Sequence, residues 1–409
     1  MSAASPFAPA SFPDLPDITG VRLAVAEAGI RYRGRTDLLL VDLKEGTSVA
    51  GVFTRSQTAA APVLWCRKAL PHGLARALIV NAGNANAFTG PAGEQASADT
   101  AAAAAPLLGC AAEEVYVAST GVIGEALPAE KLVTALPDAV EALGRASWEQ
   151  AARTIATTDT FQKAATATAV IDNAPVAING IVKGAGMIAP DMATMLAFVF
   201  TDANMTPTAL QSLVAASVNR SFNCITVDSD TSTNDTVLVF ATGAAGHAPI
   251  SDANGPRIAS FREGLDQVML DLAQQVVKDG EGISKFVTIE VLGAADDLAA
   301  RRIGLAIANS PLVKTAVAGE DANWGRIAMA VGKSGEDIRV DRLAISIGGV
   351  AGARDGGPVA GYDEGPVAAH MRGREVSIAV DAGLGEGRAT VWTCDLTHGN
   401  IDINASYRS

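Results

Sequence analysis

Clusters of basic residues are absent from this sequence of 409 residues. It contains 31 Lys and Arg against 44 Asp and Glu, and its formal net charge is −13. Proteins that bind nucleic acids neutralise phosphates with clustered Lys and Arg side chains. The composition therefore argues against a nucleic-acid partner.

Metal-binding patterns are missing as well. The four cysteines lie far apart without a C-x-x-C spacing, and the four histidines show no ligand spacing. This pattern indicates buried thiols in a reducing compartment, with no metal site and no disulfide framework. Most of the histidines stand beside glycine or proline, so we interpret all four as residues of surface turns. They are His72, His247, His370 and His398.

Long hydrophobic runs are also lacking. The Ala-rich segment TAAAAAPLLGCAA, residues 100–112, is too short to span a bilayer. Residues 1–18 lack the basic and apolar regions of a secretory signal. We therefore expect a cytoplasmic protein with no membrane partner.

The sequence does contain ample material for a core, since 49% of its residues are hydrophobic. Short strand-like runs alternate with helical patterns at residues 91–108, 129–144, 206–222 and 258–278. The DNAP segment at 172–175 stands between two alternating runs and predicts a tight hairpin, hence sheets that are partly antiparallel. We predict an α/β fold of stacked mixed β-sheets covered by helices.

Two familiar nucleotide motifs are only partly present. GAGMIA at 184–189 fits the relaxed dinucleotide fingerprint, but Pro190 and Asp191 follow at once and no helical periodicity appears. VGKS at 331–334 resembles the end of a phosphate-binding loop, yet Ile327 occupies the position of the first glycine. A Ser-His-Asp triad is also poorly supported, because no G-x-S-x-G elbow occurs.

The segment KGAGMIAPDMATMLAFVFTDA, residues 183–203, joins a Gly-rich turn directly to an apparent buried strand. Within it, the hydroxyl of Thr194 can attack the accessible carbonyl of the small residue Ala193. A threonine that becomes a chain terminus acquires its own base, because the freed α-amine titrates near pH ~7.7–8.0. The sequence therefore predicts self-cleavage between Ala193 and Thr194, which would expose a catalytic nucleophile.

Polar loops follow several of the predicted strands. Turn formation explains any one of them, because Asn, Asp, Ser and Thr side chains bond to their own backbone. Together with the 183–203 junction, however, they favour a catalytic interpretation over turn formation alone. The loops are VNAGNANAFTG (80–90), ASTGVIGE (118–125), TTDT (157–160), DSDTSTND (228–235) and DGEG (279–282).

The chain resembles, over nearly its whole length, the ornithine acetyltransferases. These are the self-cleaving glutamate N-acetyltransferases of arginine biosynthesis. Four separated segments carry the resemblance, in the order found in that family. They are STGVIGE (119–125), TTDTFQK (157–163), KGAGMIAPDMATMLAF (183–198) and CDLTHGNIDINASYRS (394–409).

The resemblance implies an architecture like that of the N-terminal-nucleophile hydrolases, of the DmpA and ornithine acetyltransferase type. It implies an alpha chain of residues 1–193 and a beta chain of residues 194–409, with Thr194 as the nucleophile. Thr120 and Gly121 would form the oxyanion hole. The implied substrate contacts are Thr160, Lys183, Thr194, Glu281, Asn404 and Ser409.

The implied reaction is a two-step acetyl exchange without a cofactor. N-acetylornithine acetylates Thr194 and ornithine leaves, after which glutamate takes the acetyl group. Lys183 can pair with a substrate carboxylate and Glu281 with an ammonium group. Some members of that family also use acetyl-CoA, which is therefore a second candidate donor. Two copies of each chain would form a heterotetramer.

Other interpretations remain open at this point. An N-terminal-nucleophile amidohydrolase or aminopeptidase would use the same Thr194 but transfer the acyl group to water. A binding module without enzymatic activity would leave the clustered polar loops unexplained. Lys183 could alternatively assist cleavage, or be a solvated turn residue.

Overall fold

A computed structural model describes residues 4–189 and 195–405. In these residues the chain forms two β-sheets with helices packed on them. The first sheet contains β1 (Val21–Ala26), β2 (Leu38–Phe53), β3 (Leu74–Asn84), β4 (Val115–Val122), β5 (Lys163–Ile171), β6 (Ala174–Lys183), β7 (Leu196–Thr201) and β8 (Thr236–Ala241). The second sheet contains β9 (Phe286–Ala294), β10 (Ala344–Ile347), β11 (Val350–Arg354), β12 (Gly357–Pro358), β13 (Glu375–Asp381) and β14 (Gly387–Cys394).

The helices cover both sheets. They are α1 (Ala61–Ala69), α2 (Gly90–Leu108), α3 (Ala129–Glu141), α4 (Trp148–Ile155), α5 (Pro207–Arg220), α6 (Ala259–Lys278), α7 (Asp297–Ala308), α8 (Pro311–Ala318), α9 (Trp324–Gly332), α10 (Gly365–Met371) and α11 (His398–Asn404). No helix in the described part of the chain combines the length and the hydropathy that a bilayer crossing requires.

The first sheet has the strand order β4-β3-β2-β8-β7-β6-β5, with β1 paired to β2. The long strand β2 belongs to both halves of this sheet. Its residues 38–43 pair with β1, and the same part of the strand pairs with β3. Its residues 48–53 pair with β8. A register shift between Asp42 and Thr47 separates the two parts, so β2 links two sheet layers.

The two layers of the first sheet stack on one another. Side chains of β2, β3 and β4 form one apolar cluster with side chains of β7 and β8. The ring of Tyr116 on β4 lies 6.1 Å from that of Phe240 on β8, and Phe240 stacks on Phe200 of β7 at 5.3 Å. Helices α2 and α3 pack outside one layer, and α5 and α6 pack outside the other. These contacts confirm the predicted α/β fold of stacked mixed sheets covered by helices.

The second sheet has the order β12-β11-β10-β13-β9-β14 and mixes parallel with antiparallel pairs. Helices α7, α8 and α9 cover one of its faces through a separate apolar cluster. The second sheet packs against α6. Its residues Phe286, Trp392 and Cys394 belong to the apolar cluster that α6 forms with the first sheet.

Several local predictions are confirmed. The four predicted helical patterns correspond to α2, α3, α5 and α6. Helix α5 begins with a side-chain cap, because the Thr206 hydroxyl accepts the Ala209 N–H at 3.3 Å and Pro207 follows the cap. Asp172 and Asn173, with φ of 51° and 65°, form the two-residue turn between antiparallel β5 and β6.

Candidate active site

The candidate site lies where strand ends from the two layers of the first sheet approach each other. Thr120 is close to the end of β4 in one layer, and Lys183 is the last residue of β6 in the other. The Lys183 Nζ donates a hydrogen bond of 3.1 Å to the Thr120 Oγ1. Both residues are buried, at 5% and 6% exposure. The hydrogen bond therefore joins two segments that are 63 positions apart in the sequence.

Gly121 is required by close packing of the backbone. Its φ is +136°, and a Cβ atom there would overlap the backbone of Gly83 on the neighbouring strand β3. A side chain would therefore push β3 and β4 apart beside Thr120. The close approach explains why the predicted oxyanion segment contains glycine at this position.

Five of the predicted site residues line one cleft of about 110 Å³. They are Thr120, Gly121, Lys183, Glu281 and Asn404. A larger cleft of about 1050 Å³ lies beside α5 and α7 and contains none of the predicted site residues that the structure describes. The predicted site residues therefore converge on the smaller cleft, where hydroxyl, ammonium, carboxylate and amide groups lie close together.

Glu281 is the carboxylate of this cleft. Its Oε2 accepts a hydrogen bond of 2.9 Å from the Asn404 Nδ2, which connects it to α11. A Cβ atom on Gly186 would overlap the Glu281 carboxylate, so the Gly-rich turn at 184–186 leaves the space that this side chain occupies. Glu281 is 9% exposed and borders the cleft. An acidic group is thus available to a cationic substrate.

Thr160 takes a different position from the other predicted contacts. Its hydroxyl donates to the Asp279 carboxylate and accepts the Ser5 N–H at 2.9 Å. It borders an adjoining cleft that shares Thr158 and Glu281 with the first one. Its neighbours Thr157 and Thr158 line the main cleft instead.

The remaining predicted residues, Ala193, Thr194 and Ser409, lie outside the described residues. The residues on both sides of the predicted cleavage junction are nevertheless described. Before it, the N–H groups of Met187 and Ile188 donate to the Asp228 carboxylate at 2.5 and 2.9 Å.

After the junction, the Met195 N–H donates to the Asp235 Oδ1 at 3.1 Å, and the Met195 carbonyl accepts the Thr236 N–H at 3.1 Å. The loop 228–235 therefore holds both flanks of the junction. It is also tied to the ends of β3 and β4, because the Asn234 Nδ2 donates to the carbonyls of Ala85 and Ser119 at 2.7 and 2.8 Å.

Burial shifts the acid–base properties of these groups. It raises the pKa of Asp228 to about 6, against the hydrogen bonds that the carboxylate accepts. It also raises the pKa of Asp235 well above its usual value, and the Oδ2 of Asp235 has no partner among the described residues. Burial lowers the pKa of Lys183, and the nearby Asp159 charge opposes that change.

A buried group of ions, which the sequence did not predict, lies behind the cleft. Lys163 lies between Asp159 and Asp279, with its Nζ 2.6 Å from a carboxylate oxygen of each. The i, i+4 spacing of Asp159 and Lys163 within TTDTFQK was a signal, but nothing local indicated that Asp279 would join them. The three side chains are at most 1% exposed.

Three histidines differ from the sequence interpretation. His370 is half-buried in α10, and His398 is the first residue of α11. His247 is 6% exposed and is not a surface-turn residue. Its Nε2 accepts the Asn204 N–H at 3.0 Å, and its Nδ1 lies 2.8 Å from the Ala248 carbonyl. Both ring nitrogens therefore have a backbone partner, as is usual for a buried polar side chain. In the described residues, no group of three His, Cys, Asp or Glu side chains is arranged to hold a metal ion.

The stacked layers and their polar cleft define an α/β protein with a site for a small charged molecule. The chain belongs to the ArgJ family, whose model matches residues 22–409. The arginine biosynthesis bifunctional protein ArgJ of Gluconobacter oxydans is 58% identical over 97% of this chain and 94% of that protein. The protein of the same name from Rhizobium meliloti is 56% identical over 99% of each chain.

A solved structure is similar as well. The crystal structure of ArgJ from Bacillus halodurans matches with a TM-score of 0.50 and 42% identity. The match covers 100% of that chain but 52% of this one.

Proposed function

We propose that this chain is an acetyltransferase of arginine biosynthesis, which transfers the acetyl group of N-acetylornithine to glutamate. Family membership and the 58% identity to a bifunctional ArgJ protein support this function. The observation that carries it at the site is the convergence of Thr120, Gly121, Lys183, Glu281 and Asn404 on one cleft.

The proposed reaction has two steps, acetylation of Thr194 and transfer of the acetyl group to glutamate. The Thr194 hydroxyl attacks the acetyl carbonyl, an ester forms, the amide C–N bond breaks, and the proton leaves with the ornithine amine. The α-amine of Thr194 acts as the base. The amine of glutamate then attacks the ester, which gives N-acetylglutamate and restores the Thr194 hydroxyl.

The hydrogen bond from Lys183 prepares Thr120 for the oxyanion. Because the Thr120 oxygen accepts from the Lys183 Nζ, its own proton is free to point toward the developing negative charge. The adjacent ammonium charge also makes that O–H group a stronger donor. The Gly121 N–H is the second donor, and loss of one such donor typically costs ~10²–10³ in rate.

Charged groups on both sides of the cleft suit amino-acid substrates. Lys183 has further N–H groups that can bind a substrate carboxylate, and Glu281 can bind the side-chain ammonium of ornithine. Asn404 holds Glu281 in place through its hydrogen bond of 2.9 Å. Thr160 and Ser409 complete the proposed substrate contacts.

We also propose cleavage into residues 1–193 and 194–409, and assembly of two copies of each chain into a heterotetramer. Asp228 and Asp235 support the first proposal, because they hold the backbone on either side of the junction. The full-length match of the Bacillus halodurans chain to 52% of this chain also fits a protein that consists of two fragments.

The test compares acetyl acceptors. Purified protein is incubated with N-acetylornithine, with and without glutamate, and N-acetylglutamate, ornithine and acetate are measured. We expect N-acetylglutamate to be the main product when glutamate is present. If acetate forms at the same rate with or without glutamate, the amidohydrolase interpretation is correct. A parallel assay with acetyl-CoA and glutamate alone decides whether acetyl-CoA is a second donor.

A further inference from the structure

Four charged side chains are buried together behind the cleft. Lys163 contacts Asp159 and Asp279 at 2.6 Å each, and its own side chain is 0% exposed. The fourth group is Lys183, which interacts with the Asp159 charge and is 5% exposed. Two positive and two negative charges make this group neutral as a whole. Removing one of them would leave an uncompensated buried charge.

Asp159 is the member of this group that faces both lysines. Burial alone would raise its pKa, but the charges of Lys163 and Lys183 and the hydrogen bonds from Lys163 and Gly184 hold the pKa well below its usual range. Its Oδ1 accepts the Gly184 N–H at 2.8 Å, immediately after Lys183 in the chain. Asp159 therefore contacts the backbone next to Lys183 and acts on its charge.

The buried ions connect three separate segments of the candidate site. Asp159 belongs to the loop 157–160, and Gly184 follows β6. Asp279 precedes Glu281, and it binds both the N–H and the hydroxyl of Thr160. Buried ion pairs contribute little net stability compared with well-packed apolar side chains. A group of four at this position is better explained by what it holds in place.

We propose that Asp159 is a positioning residue for acetyl transfer, which holds the Lys183 ammonium against the Thr120 hydroxyl through its own charge and its hydrogen bond to Gly184, and which is itself fixed by the buried Lys163. This inference rests on the proposed function, since it concerns the same oxyanion site. Without the Asp159 charge, Lys163 and Lys183 would lack the anion that they share.

The charge of Lys183 provides the readout. The charged groups that act on it are Asp159, Lys163, Glu281 and Asp235, and only Lys163 among them is a cation. Asp159 raises the pKa of Lys183 against the effect of burial. Loss of the Asp159 charge would therefore lower that pKa, and Lys183 would lose its proton at a lower pH.

The test is the pH dependence of kcat/KM for acetyl transfer in the wild type and in Asp159→Asn. The ammonium form of Lys183 is the active one, so activity falls as the pH rises through its pKa. We expect the alkaline limb to move to lower pH by about one unit or more in the variant, the usual effect of losing a close opposite charge. Substrate groups titrate identically in both proteins, so the shift belongs to the enzyme.

Two control variants separate this role from loss of a buried carboxylate in general. Asp42→Asn removes a buried carboxylate of β2 that pairs with Arg22 and Arg76 and does not line the cleft, and it should leave the pH profile unchanged. Asp279→Asn removes the other partner of Lys163. Because Asp279 is not among the main charges acting on Lys183, it should shift the alkaline limb less than Asp159→Asn does.

The outcomes are distinguishable. If the wild type makes no N-acetylglutamate, the proposed function fails. If the wild type is active and Asp159→Asn keeps the wild-type alkaline limb, the positioning role is wrong. Should Asp159→Asn not fold, Asp159→Glu retains the charge on a longer side chain. We then expect an unchanged limb with at least a ten-fold lower plateau of kcat/KM, and a wild-type plateau would overturn the proposal.

Discussion

At the scale of single residues, the side chains of the candidate site depend on specific neighbours for their orientation and space. Thr120 receives a hydrogen bond from Lys183, so its own proton can serve another acceptor. Glu281 fits only because residue 186 is glycine. The proposed substrate and oxyanion roles therefore belong to different side chains, which substitutions can separate.

Glu281→Gln should impair acetyl transfer much more than chain cleavage. The substitution keeps the shape and an acceptor for Asn404 but removes the charge that we propose binds an ammonium group. A hydrogen bond to a charged group contributes ~1.5–3 kcal/mol, so kcat/KM should fall by about ten-fold to over a hundred-fold. Initial rates and electrophoresis of the same preparation measure both effects.

Glu336→Gln is the matched control, because Glu336 pairs with Arg302 away from the cleft. It should transfer acetyl at the wild-type rate. If Glu281→Gln does so as well, Glu281 is a turn residue and the ornithine amine is bound elsewhere.

Thr194→Ala should abolish both cleavage and transfer, whereas Thr194→Ser should retain measurable amounts of both. Alanine lacks the attacking oxygen, while serine keeps it and loses only the methyl group that restricts χ1. Denaturing electrophoresis reports cleavage, and product formation reports transfer. Appreciable transfer by Thr194→Ala would refute the assignment of the nucleophile.

At the scale of elements, the loop 228–235 connects the turn before the junction to the strand after it. Asp228 accepts two backbone N–H groups before the junction, and Asp235 accepts one after it. Asn234 fixes the same loop to the ends of β3 and β4. A segment further along the chain therefore holds the described backbone on both sides of the predicted junction.

Asp228→Ala should slow chain cleavage. The variant leaves the N–H groups of Met187 and Ile188 without their acceptors, so the turn loses its anchor. The fraction of cleaved chain is followed over time after purification. Asp230→Ala is the control, because Asp230 is exposed in the same loop and should not affect the rate. Equal rates for the two variants would exclude an anchoring role for Asp228.

At the scale of the whole molecule, the two predicted fragments share one sheet. Strands β7 and β8 of the second fragment lie between β2 and β6 of the first, with continuous pairing on both sides. Both strands are buried at every position, as expected for the centre of a sheet. Cleavage would therefore break one bond without exposing an edge.

We expect the purified protein to contain two chains that elute together from a sizing column and separate only in denaturant. Separation would expose the apolar faces of β7 and β8 to water, which is strongly unfavourable. N-terminal sequencing of the 194–409 fragment should find Thr194 first. An active protein that remains a single chain would contradict cleavage, and a different first residue would move the nucleophile.

Local sequence determined a large part of this fold. Helices α2, α3, α5 and α6 and the turn at Asp172 and Asn173 follow from periodicity, capping and turn chemistry, which act within a few residues. The local residue pattern also predicted the polar loops that meet at the cleft. Family resemblance then assigned roles to particular residues in those loops.

Tertiary structure alone decided how these parts combine. Lys163 meets Asp279 across 116 positions, and β2 pairs with different partners along its length. His247 is buried although its neighbours suggested a surface turn. Such contacts form between chain segments that are far apart in the sequence. They therefore produce no periodic pattern in the sequence. The sequence therefore determined the chemistry of the loops, and packing of the two sheet layers decided which groups share a site.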